Sequence, residues 1–274
     1  MIHDILHHAL AGAVVALPFA SPRKSLLYIL IGAAAALLPD VTKVLLADPW
    51  LHSLAAAPFA AALCAGLLKA WFRDESLPRL FAALLAAIVF GHQLLDLIDN
   101  GSAIFHPFIE DELEFSVVSK TTPLIWITAL AAIAAGLIFG RTRLFSAAGI
   151  LVILLFIGYQ SAAKAMVTEA LRERYPIPGA ELVVFPVGEW PWDRSAWSWL
   201  LRAESFTAAG DSSSAGGFIH PHHFYYMPSG EGLRYRVEEW TGTDEGFVIR
   251  CFDEQDGRTV SFASADGIHW RPAD

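Results

Sequence analysis

The sequence predicts an α-helical, multi-pass membrane bundle of about six transmembrane helices, followed by a small, mainly-β extracytoplasmic domain. Three observations predict it. Hydrophobic residues make up 55% of the 274 residues and charged residues 17%, with a mean hydropathy of +0.45, too apolar for a wholly soluble fold. The excess is uneven: apolar sequence is almost unbroken to about Ala165, whereas Met166 to Asp274 is rich in acids, aromatics and glycine. Within the apolar part, six runs bounded by charge, proline or glycine approach the roughly 20 residues that a helix needs to cross a bilayer. The expected organisation is a transmembrane domain over 1–165, a connecting segment over 166–179 and a β domain over 180–274.

In order, the runs are Ile5 to Ala20, Leu26 to Leu46, Leu54 to Phe72, Leu80 to Leu97, Pro123 to Phe139 and Leu144 to Ala163. The first is short, but His3 and Asp4 stand where a signal peptide carries its basic residues, so it reads as a mature helix. Arg23 and Lys24 join the first and second runs, Lys69, Arg73 and Arg79 the third and fourth, and Arg141 and Arg143 the fifth and sixth. Short basic loops stay in the cytoplasm, which assigns these turns to that side. The alternate loops hold Asp40 and Asp48, then Glu110, Asp111, Glu112 and Glu114, with Lys43 and Lys120 as exceptions. Both termini and the tail are then expected outside the cytoplasm.

The tail has strand composition in Leu182 to Phe185, Leu233 to Trp240, Gly246 to Phe252 and Thr259 to Ala263, with turn signals at Asp256-Gly257 and Asp266-Gly267. Ala208 to Gly217 reads as a flexible loop. Trp190, Trp192, Trp197 and Trp199 are expected to pack a small core, with the lipid interface as the other place that favours indole. His220, His222 and His223 read as an exposed, histidine-rich loop before they read as a metal site. Cys64 and Cys251 are expected to be packing residues without a disulfide. The net charge of -9 offers no basic patch and excludes a nucleic-acid partner.

Chemistry is concentrated in residues that a bilayer discourages. An ionisable side chain at mid-membrane costs about 2.5–3.5 kcal/mol on insertion scales and usually faces a cavity, a partner or a metal. His7 and His8 lie in the first run, Asp40 follows Pro39, His52 and Ser53 open the third, and His92, Asp96 and Asp99 end the fourth. Alternating helix direction puts all of them at one membrane face. His92, Asp96 and Asp99, spaced by four and three, share a helical stripe. An imidazole and a carboxylate so placed can grip one ion. Asp40, His52 and a first-run histidine complete a nitrogen and oxygen set that suits a divalent metal, zinc foremost. Asp99 and Asn100 also suit a helix end before Gly101, and Ser53 suits a cap better than a nucleophile.

These residues resemble the membrane-bound, metal-dependent hydrolases of the LexA-binding, inner-membrane-associated group. The likeness covers about His8 to Phe108: HALAG from His8 to Gly12, LLPD ending at Asp40, LHSL containing His52 and Ser53, and HQLLDLIDNGSAIFHPF from His92 to Phe108. The glycine of the first motif selects His8 over His7. Two polar groups of the group's pattern are replaced, by Thr42 and by Ala47-Asp48-Pro49, with Lys43 and Asp48 as new charges. A looser likeness extends to the helical zinc-dependent phospholipases C. Some members carry a following extracytoplasmic segment with Pro and Trp spaced as in FPVGEWPWDRSAWSW.

The resemblance implies an inner-membrane hydrolase with His8, Asp40, His52, His92 and Asp96 as metal ligands. Asp99 or Asp40 would serve as the catalytic base. Zinc chemistry acidifies a water and polarises the scissile oxygen, and a neighbouring carboxylate takes the proton. At the outer face, the expected substrate is an amphiphile such as a phospholipid or lipid-linked phosphodiester. The competing class is a membrane scaffold or receptor whose metal only staples helices together. A transporter would place polar groups at several depths, whereas these cluster at one end.

Overall fold

The computed structural model describes residues 2–46, 50–119, 122–177, 179–188, 190, 192–204, 206–226, 233–243, 246–253, 255–267 and 269–273. Its contacts divide the chain into two compact units, 1–158 and 159–274.

The first unit is helical: α1 (Ile2–Ala16), α2 (Ser25–Leu46), α3 (Ala57–Trp71), α4 (Leu77–Ile88), α5 (Leu94–Ile98), α6 (Pro123–Ile138) and the start of α7 (Thr142–Arg174). Prolines stand in the first positions of α3, α4 and α6, where a missing N–H costs no hydrogen bond. Each apolar run of the sequence falls on helix. Three stretches are long and apolar enough to cross a membrane: Ser25–Val44, Leu77–Ile98 and Thr142–Arg174. Ile5–Phe19, Ala57–Trp71 and Pro123–Ile138 are shorter apolar helices.

The structure departs from the sequence reading at two helices. Val89–Gln93, between α4 and α5, is a π-helical turn, so the fourth run is not one regular α-helix. α7 continues to Arg174, so much of the expected connecting segment is helical. Ala163, Val167 and Leu171 recur at four-residue spacing along α7 and join the core of the second unit, which accounts for the extension.

Small residues set the packing of the first unit. A Cβ on Gly12 would strike Ala36 and the Gly32 carbonyl, and one on Gly91 would lie 2.6 Å from the Gly12 Cα. α1, α2 and the π-turn therefore meet backbone to backbone, as small residues permit between apolar helices.

A polar knot closes one end of the unit. Lys24 pairs with Asp74 and, at 2.9 Å, with Glu75, and the Tyr28 hydroxyl donates to Glu75 at 2.9 Å. Lys69 Nζ donates to the Arg73 and Glu75 carbonyls at 2.5 and 2.6 Å, and Arg143 Nε to the Ala20 carbonyl at 2.9 Å. The three basic turns thus gather together. Glu75 is 3% exposed, and the Lys24 ammonium beside it holds its carboxyl below the usual range.

The second unit is an eight-stranded antiparallel meander in the order β1 to β8. Its strands are β1 (Glu181–Pro186), β2 (Trp197–Arg202), β3 (Phe206–Ser212), β4 (Ile219–Tyr226), β5 (Leu233–Thr243), β6 (Gly246–Asp253), β7 (Arg258–Ser264) and β8 (Arg271–Ala273). The expected turns at Gly257 and Gly267 are present, with φ of 68° and 73° that favour glycine. The first half of Ala208 to Gly217, up to Ser212, is strand because it pairs with both β2 and β4, and only Ser213 to Gly217 forms the expected loop. The His220 to His223 segment is likewise strand. His222 pairs with Asp211 at 3.0 Å, and no group of three closely spaced metal-type ligands forms here among the described residues. Alternation along β2 buries Trp197 and Trp199 in the core, whereas Trp192 is 72% exposed and stacks on Trp190. Cys64 and Cys251 are free thiols, the latter pushed up to about 12 by burial.

Candidate metal centre

Four stretches of backbone bring five polar side chains together. α1 carries His8, α2 carries Asp40, the turn before α3 carries His52, and the π-turn and α5 carry His92 and Asp96. Asp40 follows Pro39, whose ring removes one N–H from the helix interior. The Thr42 hydroxyl, standing where the resemblance has a second aspartate, donates to the Pro39 carbonyl at 2.8 Å. Ala47-Asp48-Pro49 lies outside the described residues.

The distances define a single cluster. His8 Nε2 is 3.2 Å from Asp96 Oδ1, and His92 Nε2 is 3.2 Å from Asp96 Oδ2. His52 Nε2 lies 3.6 Å from Asp40 Oδ1 and 3.8 Å from Asp96 Oδ2, and His92 Nε2 is 3.8 Å from Asp40 Oδ1. Two triads, His8, Asp40, His92 and His52, His92, Asp96, each hold their nearest ligand atoms within 4.8 Å of one another. His8, His52, His92 and Asp96 are buried, whereas the Asp40 side chain is 42% exposed and marks the mouth.

The hydrogen bonds orient these groups. His8 Nδ1 is 3.3 Å from the Gly91 carbonyl, which can only accept, so Nδ1 carries the proton and Nε2 turns its lone pair toward Asp96. A lone pair facing a carboxylate requires a proton or a cation between them. Neither nitrogen of His92 forms a hydrogen bond, although the residue is fully buried. Buried polar groups are nearly always satisfied, so a nitrogen aimed at carboxylates without a hydrogen bond is suited to a metal ion. His52 Nδ1 also has no hydrogen bond.

Of the expected residues, His8 enters the cluster and His7, although buried, does not belong to either triad. Asp99 caps α5 through its backbone, with its N–H donating to the Leu95 carbonyl at 3.0 Å, and it is not among the gathered ligands. The end of α5 explains the separation: Asp99 is its C-cap, with non-helical φ of -104° and ψ of -84°, so the chain leaves the stripe that spacing alone assigns to His92, Asp96 and Asp99. Ser53 closes the turn before α3, its Oγ accepting from the Ala56 N–H at 3.2 Å, whereas the N-cap of α3 itself is Ala56 and has no side-chain cap. Lys43 reaches Glu112 at 4.0 Å.

Sequence reasoning overlooked two residues that hold the cluster. Gln93, fully buried, donates from Nε2 to the Leu51 and Ser53 carbonyls at 3.0 and 2.9 Å and so clasps the backbone on both sides of His52. Gly91 gives its carbonyl to His8 and lacks the side chain that would keep α1 away. The available signal was a glycine and an amide flanking a histidine inside an apolar helix.

A helical apolar unit with such a cluster defines an integral membrane protein with a polar site built from its own helices. The chain belongs to the YdjM inner membrane protein family, whose model matches residues 4–167. That match spans every residue of the cluster and ends before the β strands. No match was found among curated proteins or among solved structures.

Proposed function

We propose that the cluster is a divalent-metal centre, zinc foremost, of a membrane-embedded hydrolase acting at the extracytoplasmic face on a phospholipid or lipid-linked phosphodiester. The observation that carries this reading is the separation of the ligand atoms. Two ligands of a tetrahedral zinc with bonds of about 2.0–2.1 Å stand roughly 3.3 Å apart. The Nε2 and carboxylate contacts here run from 3.2 to 3.8 Å. Among the described residues, the ion pairs of Asp40 and Asp96 are with histidines alone.

His8, His52, His92 and Asp96 would hold the ion, which supplies Lewis acidity at neutral pH. Asp40, at the mouth, is positioned either to complete the coordination or to accept a proton from an incoming nucleophile. The outer face is supported by charge. α2 runs from the knot at Lys24 to Asp40, and α4 and α5 run from the knot at Glu75 to Asp96, so the basic turns and the cluster occupy opposite ends.

The alternative, a structural metal in a scaffold or receptor, draws on the number of donors, because five protein ligands can leave no open position. Elemental analysis of the detergent-purified protein beside an Asp40→Ala, His92→Ala double variant tests the centre. About one or two zinc ions lost from the variant supports it. Equal metal in both, or none in either, sinks it. Hydrolysis of lipid phosphodiesters by the metal-loaded wild type then separates enzyme from scaffold.

A further inference from the structure

A cavity of about 380 Å³ lies within the helical unit, lined in part by the segments that carry the cluster. Ala11 of α1, Phe90 of the π-turn, Leu94 of α5, Ile125 of α6 and Leu154 of α7 line it, and every other lining residue is also apolar. Water is not a suitable occupant, since a buried water needs two to four polar partners. The volume falls within the roughly 300–1,000 Å³ of ordinary ligand pockets.

Two features select the occupant. Phe90 and Leu154 line the cavity and are themselves more than half exposed, so it opens sideways onto apolar surface that continues through Leu151 and Leu155. Two of its walls, Leu77–Ile98 and Thr142–Arg174, are helices long and apolar enough to cross a membrane. A cavity opening there communicates with lipid rather than with water or a soluble peptide. Its lining runs along α4 and α5 from Ala86 to Ile98, on the order of 18 Å at 1.5 Å per residue. Ile98 and Leu95 flank Asp96, and Ala11 is one helical turn from His8.

We infer that this cavity holds one acyl chain of a membrane lipid, placing that lipid's polar headgroup at the level of the His8, His92 and Asp96 cluster. The headgroup assignment rests on the hydrolase reading, whereas the acyl site rests on the cavity alone. Recognition of the chain is nonspecific apolar packing, and the cluster would provide the polar selectivity.

The experiment uses the full chain reconstituted in vesicles of phosphatidylethanolamine and phosphatidylglycerol, doped with a phospholipid whose acyl chain carries a photoactivatable diazirine. Labelled peptides are mapped by mass spectrometry. Labelling concentrated on the lining segments of α1, α5 and α7, and reduced several-fold in Leu154→Trp, supports the site. Phe90→Trp, at the other lip, is expected to act alike, and Leu63→Trp on the exposed face of α3 to have no effect. Labelling spread evenly over the apolar surface, or indifferent to both lip variants, overturns it. A His92→Ala variant that loses metal but keeps groove labelling supports the acyl site. If wild type binds no metal while groove labelling persists, the hydrolase reading fails and the acyl site stands.

Discussion

Asp40 differs from its neighbours in being open to its surroundings, and that exposure separates two roles. If it accepts a proton, Asp40→Asn keeps most of the metal and loses most of the hydrolysis; paired elemental analysis and turnover would show it. Loss of metal in the same variant makes Asp40 a ligand. Gln93 acts through backbone, since its amide joins the carbonyls on either side of His52 to the π-turn. Groups that orient metal ligands typically contribute 10–100-fold in metal affinity, and Gln93→Ala is expected to weaken retention by about that factor in a chelator competition. Unchanged affinity would show that His52 is held without the clasp.

The π-turn is the element that sets the angular offset between α4 and α5. An α-helix turns about 100° per residue, so deleting Phe90 to restore regular geometry would swing α4 relative to Asp96 by about that angle. The deletion is expected to abolish metal binding while leaving membrane insertion intact; full metal content would mean the bulge is incidental. The knot between the basic turns carries its own pH dependence. Glu75 has a folded pKa depressed by Lys24, so its contribution to stability is complete above the ordinary value of 4.5 and is lost as pH falls through the lower folded value. Thermal melts in detergent should fall below that pH in wild type and less steeply in Glu75→Gln. Parallel profiles would remove Glu75 from the account of acid lability.

At the scale of the whole molecule, charge bears on which side of the membrane each end of the helical unit faces. The basic turns gathered by the knot predict that a cysteine placed at Ser21 reacts only with a membrane-permeant reagent, whereas one at Asp111 reacts from outside intact cells. The reverse pattern would invert the orientation and put the cluster at the cytoplasmic face. The native Cys251 does not confound the assay, since it is buried and its thiol pushed up to about 12. The family match ends at residue 167, before the β strands, so the shared helical part does not define the role of the β unit.

Much of the helical fold and the identity of the clustered residues could be read from the chain itself. Long apolar runs and the cost of ionisable groups within them act locally, and both are written in composition and spacing. The same local logic found β1 and β5 to β7, where runs of strand-forming residues stand apart from turn signals, but it missed β2, β3, β4 and β8. Ala208 to Gly217 has loop composition, and only pairing with strands on both sides makes sheet of its first half, up to Ser212. The choice of His8 over His7 was suggested by a motif, and its physical reason is tertiary. Gly12, Gly32 and Gly91 let three backbones touch, and that approach brings His8 to the Gly91 carbonyl and to Asp96. The π-turn and the Gln93 clasp were equally beyond the sequence, since both depend on what the helix meets across the bundle rather than on its own residues. The sequence by itself determined which residues the membrane would force into company; tertiary packing decided their angles, their partners and which one faces the opening.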